Sequence, residues 1–226
     1  MATISLWKGV GVSMQSAIAA TQNITGITNV ATNGLSGASG TGAVVSVTAH
    51  GYSNGDFVVL QTAGMRQTNG RIFRVAGALT NSFVLENIDS TGYDVFASGG
   101  TNTAAKLTMG TTISTLLTIN ASGGDNTFVD TTLIHDSIKS QVPGQANPLN
   151  YNFDTVWDPA DAGFAALKSA NDAQAQRAFV VSLSNGKKVM FYGYVGFSGA
   201  PVGQTGYKVT TPLSVSCQGQ PSVVLS

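Results

Sequence analysis

Apolar residues in this chain recur mainly at every second position, in short runs closed by glycine-containing turns, and this pattern predicts β-strands. Leu149, Tyr151, Phe153 and Thr155 alternate with Asn150, Asn152 and Asp154, which predicts a strand over 148–157 with one wet face. Tyr207, Val209, Thr211, Leu213, Val215 and Cys217 share one face of a last strand over 207–218. Pro212 lies within that run, so the strand is an edge there or carries a bulge. Shorter apolar runs at 44–48, 57–61, 71–75 and 82–86 are separated by Asn54-Gly55, Asn69-Gly70 and Gly99-Gly100. Further strands are expected over 113–120 and over 2–8, the latter carrying Ile4, Leu6 and Trp7, whereas 9–22 reads as small and irregular.

The segment 178–195 departs from alternation. Asn185-Gly186 suits a two-residue type I′ turn, and that loop length places Val181 opposite Met190, Phe179 opposite Tyr192 and Val180 opposite Phe191. Phe179, Val181, Leu183 and Tyr192 then share one face, and Val180, Val189 and Phe191 the other. A strand that is apolar on both faces has to be covered twice. One cover is the domain's own core, and the second is expected from another subunit, which points to assembly rather than catalysis.

One helix is predicted, with Asp158 as its cap, Pro159 at the first helical position and Asp161 in the first turn. Ala160, Gly163, Phe164, Leu167 and Ala170 form its apolar stripe, Lys168 suits the negative end of the dipole, and Asn171 stops it. The helix is expected to lid one end of a β-sandwich. Between 121 and 147, Gly123-Gly124 and Pro143-Gly144 interrupt any period, so this stretch reads as a long functional or disordered loop. Phe128, Val129, Leu133 and Ile134 are its candidate apolar anchors.

Composition narrows the function. Eleven basic and eleven acidic side chains cancel, and charged residues make up only 10% of the chain, against about 25% in ordinary domains. Such a surface lacks the clustered cations of a dedicated nucleic-acid binder and the self-repulsion that keeps proteins apart. Cys217, the single cysteine, excludes an internal disulfide and a thiolate zinc cluster. No apolar run reaches the ~20 residues that cross a bilayer. The N-terminus shows no basic stretch followed by an apolar core, so synthesis in the cytoplasm is expected and the Asn23 and Asn120 glycosylation patterns are read as chance.

Catalytic readings find little support. His135, Asp136 and Ser137 are adjacent, and neighbouring residues cannot adopt triad geometry with one another. His50 sits before Gly51 in a turn, with no ligand at metal spacing. Asp158 and Asp161 serve the helix start, Asp154 the polar face of its strand. The glycine-rich 37–42 lacks the lysine and helix of a phosphate loop and reads as linker. Lys187 and Lys188 form a solvated tip. Phe191, Tyr192, Tyr194 and Phe197 have no basic surroundings and read as core, not as a base-stacking platform. No catalytic, metal-binding or cofactor-binding residue emerges, and no cofactor is expected.

A long strand ending at an aromatic residue and proline (153–159), a short helix, an Asn-Gly hairpin and a final strand after a glycine-rich turn together resemble the tail tube proteins of long-tailed phages. The resemblance runs from about 112 to 221, with 2–8 as first strand. It implies a mainly β fold: a sandwich domain over 1–23 and 108–226, flanked by one α-helix. It also implies hexameric rings whose sheets join into a continuous inner barrel, stacked into a tube through which DNA leaves the virion without specific binding. Tape measure, tail terminator and tail-tip proteins are the partners this implies, with no membrane involved. Val180, Asn185, Gly186, Val189 and Phe191 of the hairpin are then expected at subunit contacts, and Phe128, Val129, Leu133 and Ile134 at contacts between rings or subunits. Within 24–107, the motifs His50-Gly51-Tyr52-Ser53-Asn54-Gly55-Asp56, Asn69-Gly70-Arg71 and Ser82-Phe83-Val84-Leu85 resemble a small β-barrel module. That module recurs in phage structural proteins and is similar to the first catalytic cysteine half-domain of ubiquitin-activating enzymes. It carries no cysteine here, and it is expected as an inserted domain on the outer tube wall. A tail fibre or baseplate piece binding a surface carbohydrate, or a capsid decoration protein, is the alternative reading.

Overall fold

Alternating side chains hold most of the chain extended, and one computed structural model describes residues 9–28, 42–135 and 137–224. The strand expected over 2–8 and Asp136 lie outside the described residues. In chain order the strands are β1 (Gly11–Ile18), β2 (Gln22–Asn23), β3 (Gly26–Thr28), β4 (Val44–Ser46), β5 (Phe57–Gln61), β6 (Arg71–Ala76), β7 (Ser82–Leu85) and β8 (Thr103–Thr112). They continue as β9 (Leu116–Ser122), β10 (Asn126–Asp130), β11 (Gln141–Ala146), β12 (Asn150–Val156), β13 (Gln176–Ser182), β14 (Lys188–Phe197), β15 (Thr210–Cys217) and β16 (Ser222–Val224). The helix α1 (Ala162–Asp172) lies between β12 and β13. Pairing between these strands is antiparallel, in the order β3-β4-β7-β6-β5-β8-β1-β13-β14-β15-β12-β9, with β10 and β11 as a separate ribbon.

The sheet folds back on itself around β14. This strand pairs with β16 at Lys188–Met190 and with β15 only from Gly193 onward. At Gly193 a Cβ would lie 2.2 Å from the Ser216 carbonyl oxygen, so only glycine permits so close an approach. As a result Tyr151 of β12 stacks on Phe191 of β14 at 4.1 Å, although β15 separates their strands in the pairing order. Phe179 and Phe153 extend the stack on either side. One layer is therefore β9, β12, β15 and the end of β14, and the other is the start of β14 with β13, β1 and β8. Val12, Met14, Phe153, Phe179, Phe191, Val215 and their neighbours fill the space between. Phe164, Leu167 and Ala170 of α1 close one end of this core, as the sequence pattern predicts.

The hairpin register differs from the expected one by a residue. Phe179 pairs with Phe191, Val180 with Met190 and Val181 with Val189. The reason is a three-residue loop. Leu183 N–H donates to the Lys187 carbonyl at 2.9 Å and Gly186 N–H to the Leu183 carbonyl at 3.0 Å, with Gly186 at φ +83°. A single-residue shift exchanges the faces of one strand, so Phe191 and Val189 join Phe179 and Val181, and Tyr192 joins Val180. Burial on both faces holds, but the second cover is not another subunit. Ala178, Val180, Met190 and Tyr192 pack against Val59, Ile72, Ala105, Leu107 and Val224 of the same chain. Val180, Val189 and Phe191 are thus engaged inside the subunit.

Strands β5, β6 and β8 are covered twice in the same way. Their opposite face, with Val58, Leu60, Phe73, Val75 and Ala104, joins Val45, Met65, Phe83 and Leu85 in a separate core. The path from β3 to β8 curls around this core, and 22–28 spans its two ends, where β2 pairs with β8 and β3 with β4. Between these pairings Ile24 N–H donates to the Asn102 carbonyl and Thr25 N–H to the Ser46 carbonyl, both at 2.9 Å. Strand β1 takes the rest of that edge of β8, and β5 the other edge. Strand β8 also runs through the expected domain boundary at 107/108, so the inserted segment and the remainder share one sheet. Arg71 ties the two regions together. Its guanidinium lies 5.2 Å from the Phe73 ring and donates to the Gln67 carbonyl at 2.6 Å and to Ser222 Oγ at 3.2 Å.

Three further expectations are corrected. The segment 9–22 contains β1, where Val12 and Met14 point inward; its alternation spans too few residues to stand out in the sequence. The helix begins a turn later than predicted. Asp161, not Asp158, is the cap, its carboxylate accepting from Phe164 N–H at 3.0 Å, while Asp158 accepts from Ala160 N–H in the preceding turn. Asn171 lies within the helix instead of ending it, and its side-chain Oδ1 accepts from Phe197 N–H at 3.0 Å. Pro212, by contrast, sits where the edge reading requires, because β15 pairs with β14 no further than Leu213.

Candidate assembly surfaces

Alternation along β9, β12, β15 and the end of β14 sends apolar side chains into the sandwich and leaves the opposite face to water. The register aligns that wet face into cross-strand rows. Ser122, Asn150, Ser216 and Tyr194 form one row, Asn120, Asn152, Ser214 and Gly196 the next, and Thr118, Asp154 and Pro212 a third. Hydroxyl and amide groups dominate, and Asp154 is the one charged side chain among these positions. It accepts from Thr118 Oγ1 at 2.8 Å, and Asn152 Nδ2 donates to Ser122 Oγ at 3.2 Å. Strand β9 ends the sheet, so its outer edge has no neighbouring strand among the described residues.

The stretch expected as an aperiodic loop is a β-ribbon. Strands β9 and β12 pair up to Ser122 and Asn150, and the same two chain segments continue as β10 and β11. Gly123 and Gly124, at φ +81° and +85°, make the join. A Cβ at Gly123 would meet the Pro148 carbonyl oxygen at 2.2 Å. Every residue of β10 and β11 is exposed, so the ribbon projects as an arm. Phe128 and Val129 lie on β10, with Leu133 and Ile134 in the tip, at 65%, 53%, 69% and 94% exposure. At the base of the tip, the Thr132 hydroxyl and N–H donate to Asp130 and hold its carboxyl below the usual range.

A second exposed apolar surface lies at the other end of β12, where sequence reasoning had singled out nothing. Trp157 N–H donates to the Val209 carbonyl at 3.0 Å, its indole N–H to the Gly199 carbonyl at 2.9 Å, and Val202 and Thr210 exchange backbone hydrogen bonds at 2.7 Å. These bonds gather Trp157, Val202, Tyr207 and Val209, all of them exposed. The expected inward face of 207–218 obscured this patch, since Tyr207 and Val209 precede the observed strand and turn outward.

Of the residues weighed for chemistry, Asp154 and Tyr194 stand on the polar face, and His135 lies in the tip of the arm. Tyr194 is exposed there instead of in the core as expected, because it alternates outward from Gly193 and Val195. His50 is buried in the 24–107 core, its Nδ1 accepting from Tyr52 N–H at 2.9 Å while Nε2 donates to the Ser82 carbonyl at 3.1 Å. That network calls for the neutral ring protonated at Nε2. Cys217 is buried beside Tyr151, and burial pushes its thiol up to about 12. Such a thiol stays protonated and unreactive. Asn185 and Gly186 form the hairpin loop, where Asn185 Oδ1 accepts from Lys187 N–H at 3.2 Å. Among the described residues no three His, Cys, Asp or Glu side chains gather to hold a metal ion.

The geometry is that of a subunit with a polar sheet face, an open sheet edge and apolar surfaces at both ends. No curated protein matches the chain. The family model for the phage tail tube protein, TTP, matches residues 63–226, a span that includes all of these surfaces and begins inside the segment read as an insertion. The chain therefore belongs to the phage tail tube protein family, and it is a structural component of the virion tail.

Proposed function

We propose that six copies form a ring and that rings stack into the tube through which DNA is ejected, with the polar face of β9, β12, β15 and the end of β14 lining the bore. The observation that carries this reading is the composition of that face. Its aligned positions hold serine, asparagine, threonine and glycine, together with Tyr194, Pro212 and the single carboxylate Asp154, and no lysine or arginine. Phosphates are held by clustered cations, with an affinity that grows with each contact. A wall without them lets the duplex slide. The apolar contacts of β13 and the start of β14 with the 24–107 region support the placement of that region on the outer wall, because they cover the opposite layer of the sandwich. The open edge of β9 supports ring formation: its unpaired backbone groups favour pairing with an adjacent copy. The tape measure protein in the bore and the terminator and tip proteins at the two ends complete the assembly in this reading.

Negative-stain microscopy of the purified protein tests the proposal. Hollow tubes or six-fold rings are expected. Isolated trimers, as for a fibre, or monomers that coat capsids would overturn it.

A further inference from the structure

Three Asn-Gly pairs lie among the described residues, at 54–55, 69–70 and 185–186, and a fourth, at 33–34, lies outside them. An asparagine followed by glycine can react with its own backbone, because no Cβ hinders the glycine nitrogen as it approaches the carboxamide carbon. That nitrogen gives its proton to hydroxide and bonds to Cγ, while the carboxamide nitrogen takes up a proton and leaves as ammonia. Water then opens the succinimide ring to aspartate or to isoaspartate. Before the ring can form, the glycine N–H and the carboxamide must release the hydrogen bonds that hold them.

The three turns hold these groups differently. Asn54 Oδ1 accepts from Ala78 N–H at 2.8 Å and Gly55 N–H donates to the Val75 carbonyl at 2.8 Å, which pins the turn to β6 and the chain just after it. Asn69 Oδ1 accepts from Thr62 N–H at 3.1 Å and Gly70 N–H donates to the Leu60 carbonyl at 2.9 Å. Leu60, Thr62 and Gly70 are all buried. At 185–186 the bonds run within the loop itself. Asn185 Oδ1 accepts from Lys187 N–H at 3.2 Å, Gly186 N–H donates to the Leu183 carbonyl at 3.0 Å, and Gly186 is exposed. Opening 54–55 or 69–70 disrupts the 24–107 core, whereas opening 185–186 needs only the loop to fray, and local openings of that kind cost far less.

We infer that Asn185 is a site of spontaneous deamidation in the folded chain, and that the 24–107 core shields Asn54 and Asn69 from the same reaction. The position matters because this loop sets the register of β13 and β14. Aspartate at 185 keeps an acceptor for Lys187 N–H and adds a negative charge beside Lys187 and Lys188. Isoaspartate instead adds a methylene to the main chain. The loop closed by the Leu183 N–H bond to the Lys187 carbonyl then no longer spans the same gap, and the strain falls on the adjoining Val181–Val189 pair of the sandwich core.

Ageing the full-length chain in warm, mildly alkaline buffer, with peptide mass spectrometry as the readout, tests the assignment. In the folded chain, deamidation at Asn185 should outpace that at Asn54 and Asn69 by about tenfold or more, since reaction through a transiently open site follows the population of the open form. In urea the three rates should converge. An Asn185 that reacts no faster than either of the others in the folded chain would overturn the assignment. A spread of rates that persists unchanged in urea would trace the order to local sequence and overturn the shielding. The Asn185→Asp variant separates the new charge from the added methylene. It should melt with the parent, whereas aged chain fractionated for isoaspartate at 185 should melt several degrees lower. An unchanged melting temperature in that fraction would overturn the consequence for the hairpin.

Discussion

Excision of residues 125–147, with Gly124 joined to Pro148, is expected to leave a folded subunit that no longer builds tubes. Strands β9 and β12 keep all their pairs up to Ser122 and Asn150, and the removed ribbon contributes no side chain to the three buried cores. The melting temperature should therefore move by only a few degrees. Polymerisation should disappear, because the excised segment carries the exposed Phe128, Val129, Leu133 and Ile134, whose burial is worth about 1.5–3 kcal/mol for each large side chain. The subtler F128S/I134S variant should raise the protein concentration needed for assembly at least tenfold without touching the fold. Sedimentation velocity, with far-ultraviolet circular dichroism as the folding control, reads both outcomes. Unchanged polymerisation after excision would remove the arm from the assembly mechanism.

The second large effect falls on the subunit itself. Phe191→Ala should lower stability by about 3–5 kcal/mol, the usual range for deleting a fully buried aromatic side chain. Phe191 is 1% exposed and stacks on Tyr151 at 4.1 Å and on Phe179 at 5.4 Å. It is the ring on which both layers of the sandwich meet, so the void it leaves cannot be filled by movement of one layer alone. For a chain of this size, the loss corresponds to a fall in melting temperature on the order of 10 °C. Tyr207→Ala, at an exposed site, should cost less than about 0.5 kcal/mol. Urea unfolding of the two variants makes the comparison, and a Phe191→Ala loss below about 1 kcal/mol would contradict the role given to the stack.

Much of this architecture was legible in the chain because period-two alternation reports directly which face of a strand meets water. The segment 148–157 shows it best: its asparagines and Asp154 stand on the exposed face, and Tyr151 and Phe153 lie within the core. The doubly apolar hairpin was also legible, but not the identity of its second cover. Local pattern shows that Val180 and Met190 need a partner; it cannot show that Ile72 and Leu107, far earlier in the chain, supply it. Asn185-Gly186 marked the turn correctly and the register wrongly, since the same dipeptide serves loops of two and of three residues. Asp158 and Asp161 were both credible caps, and only the backbone geometry at Asp161 decides between them. The arm was missed as structure because its strands pair with each other and bury nothing, so no alternation was imposed on them. The Trp157 patch was missed because it forms from residues scattered between 157 and 209.

An electron cryo-microscopy map of the assembled polymer tests the central claim most directly. A hollow tube is expected, with Asn120, Asn152, Asp154 and Ser214 at the wall of the channel and the 24–107 region at the outer radius. A tube whose channel is lined by the 24–107 region, or a solid fibre with the polar face buried, would contradict it.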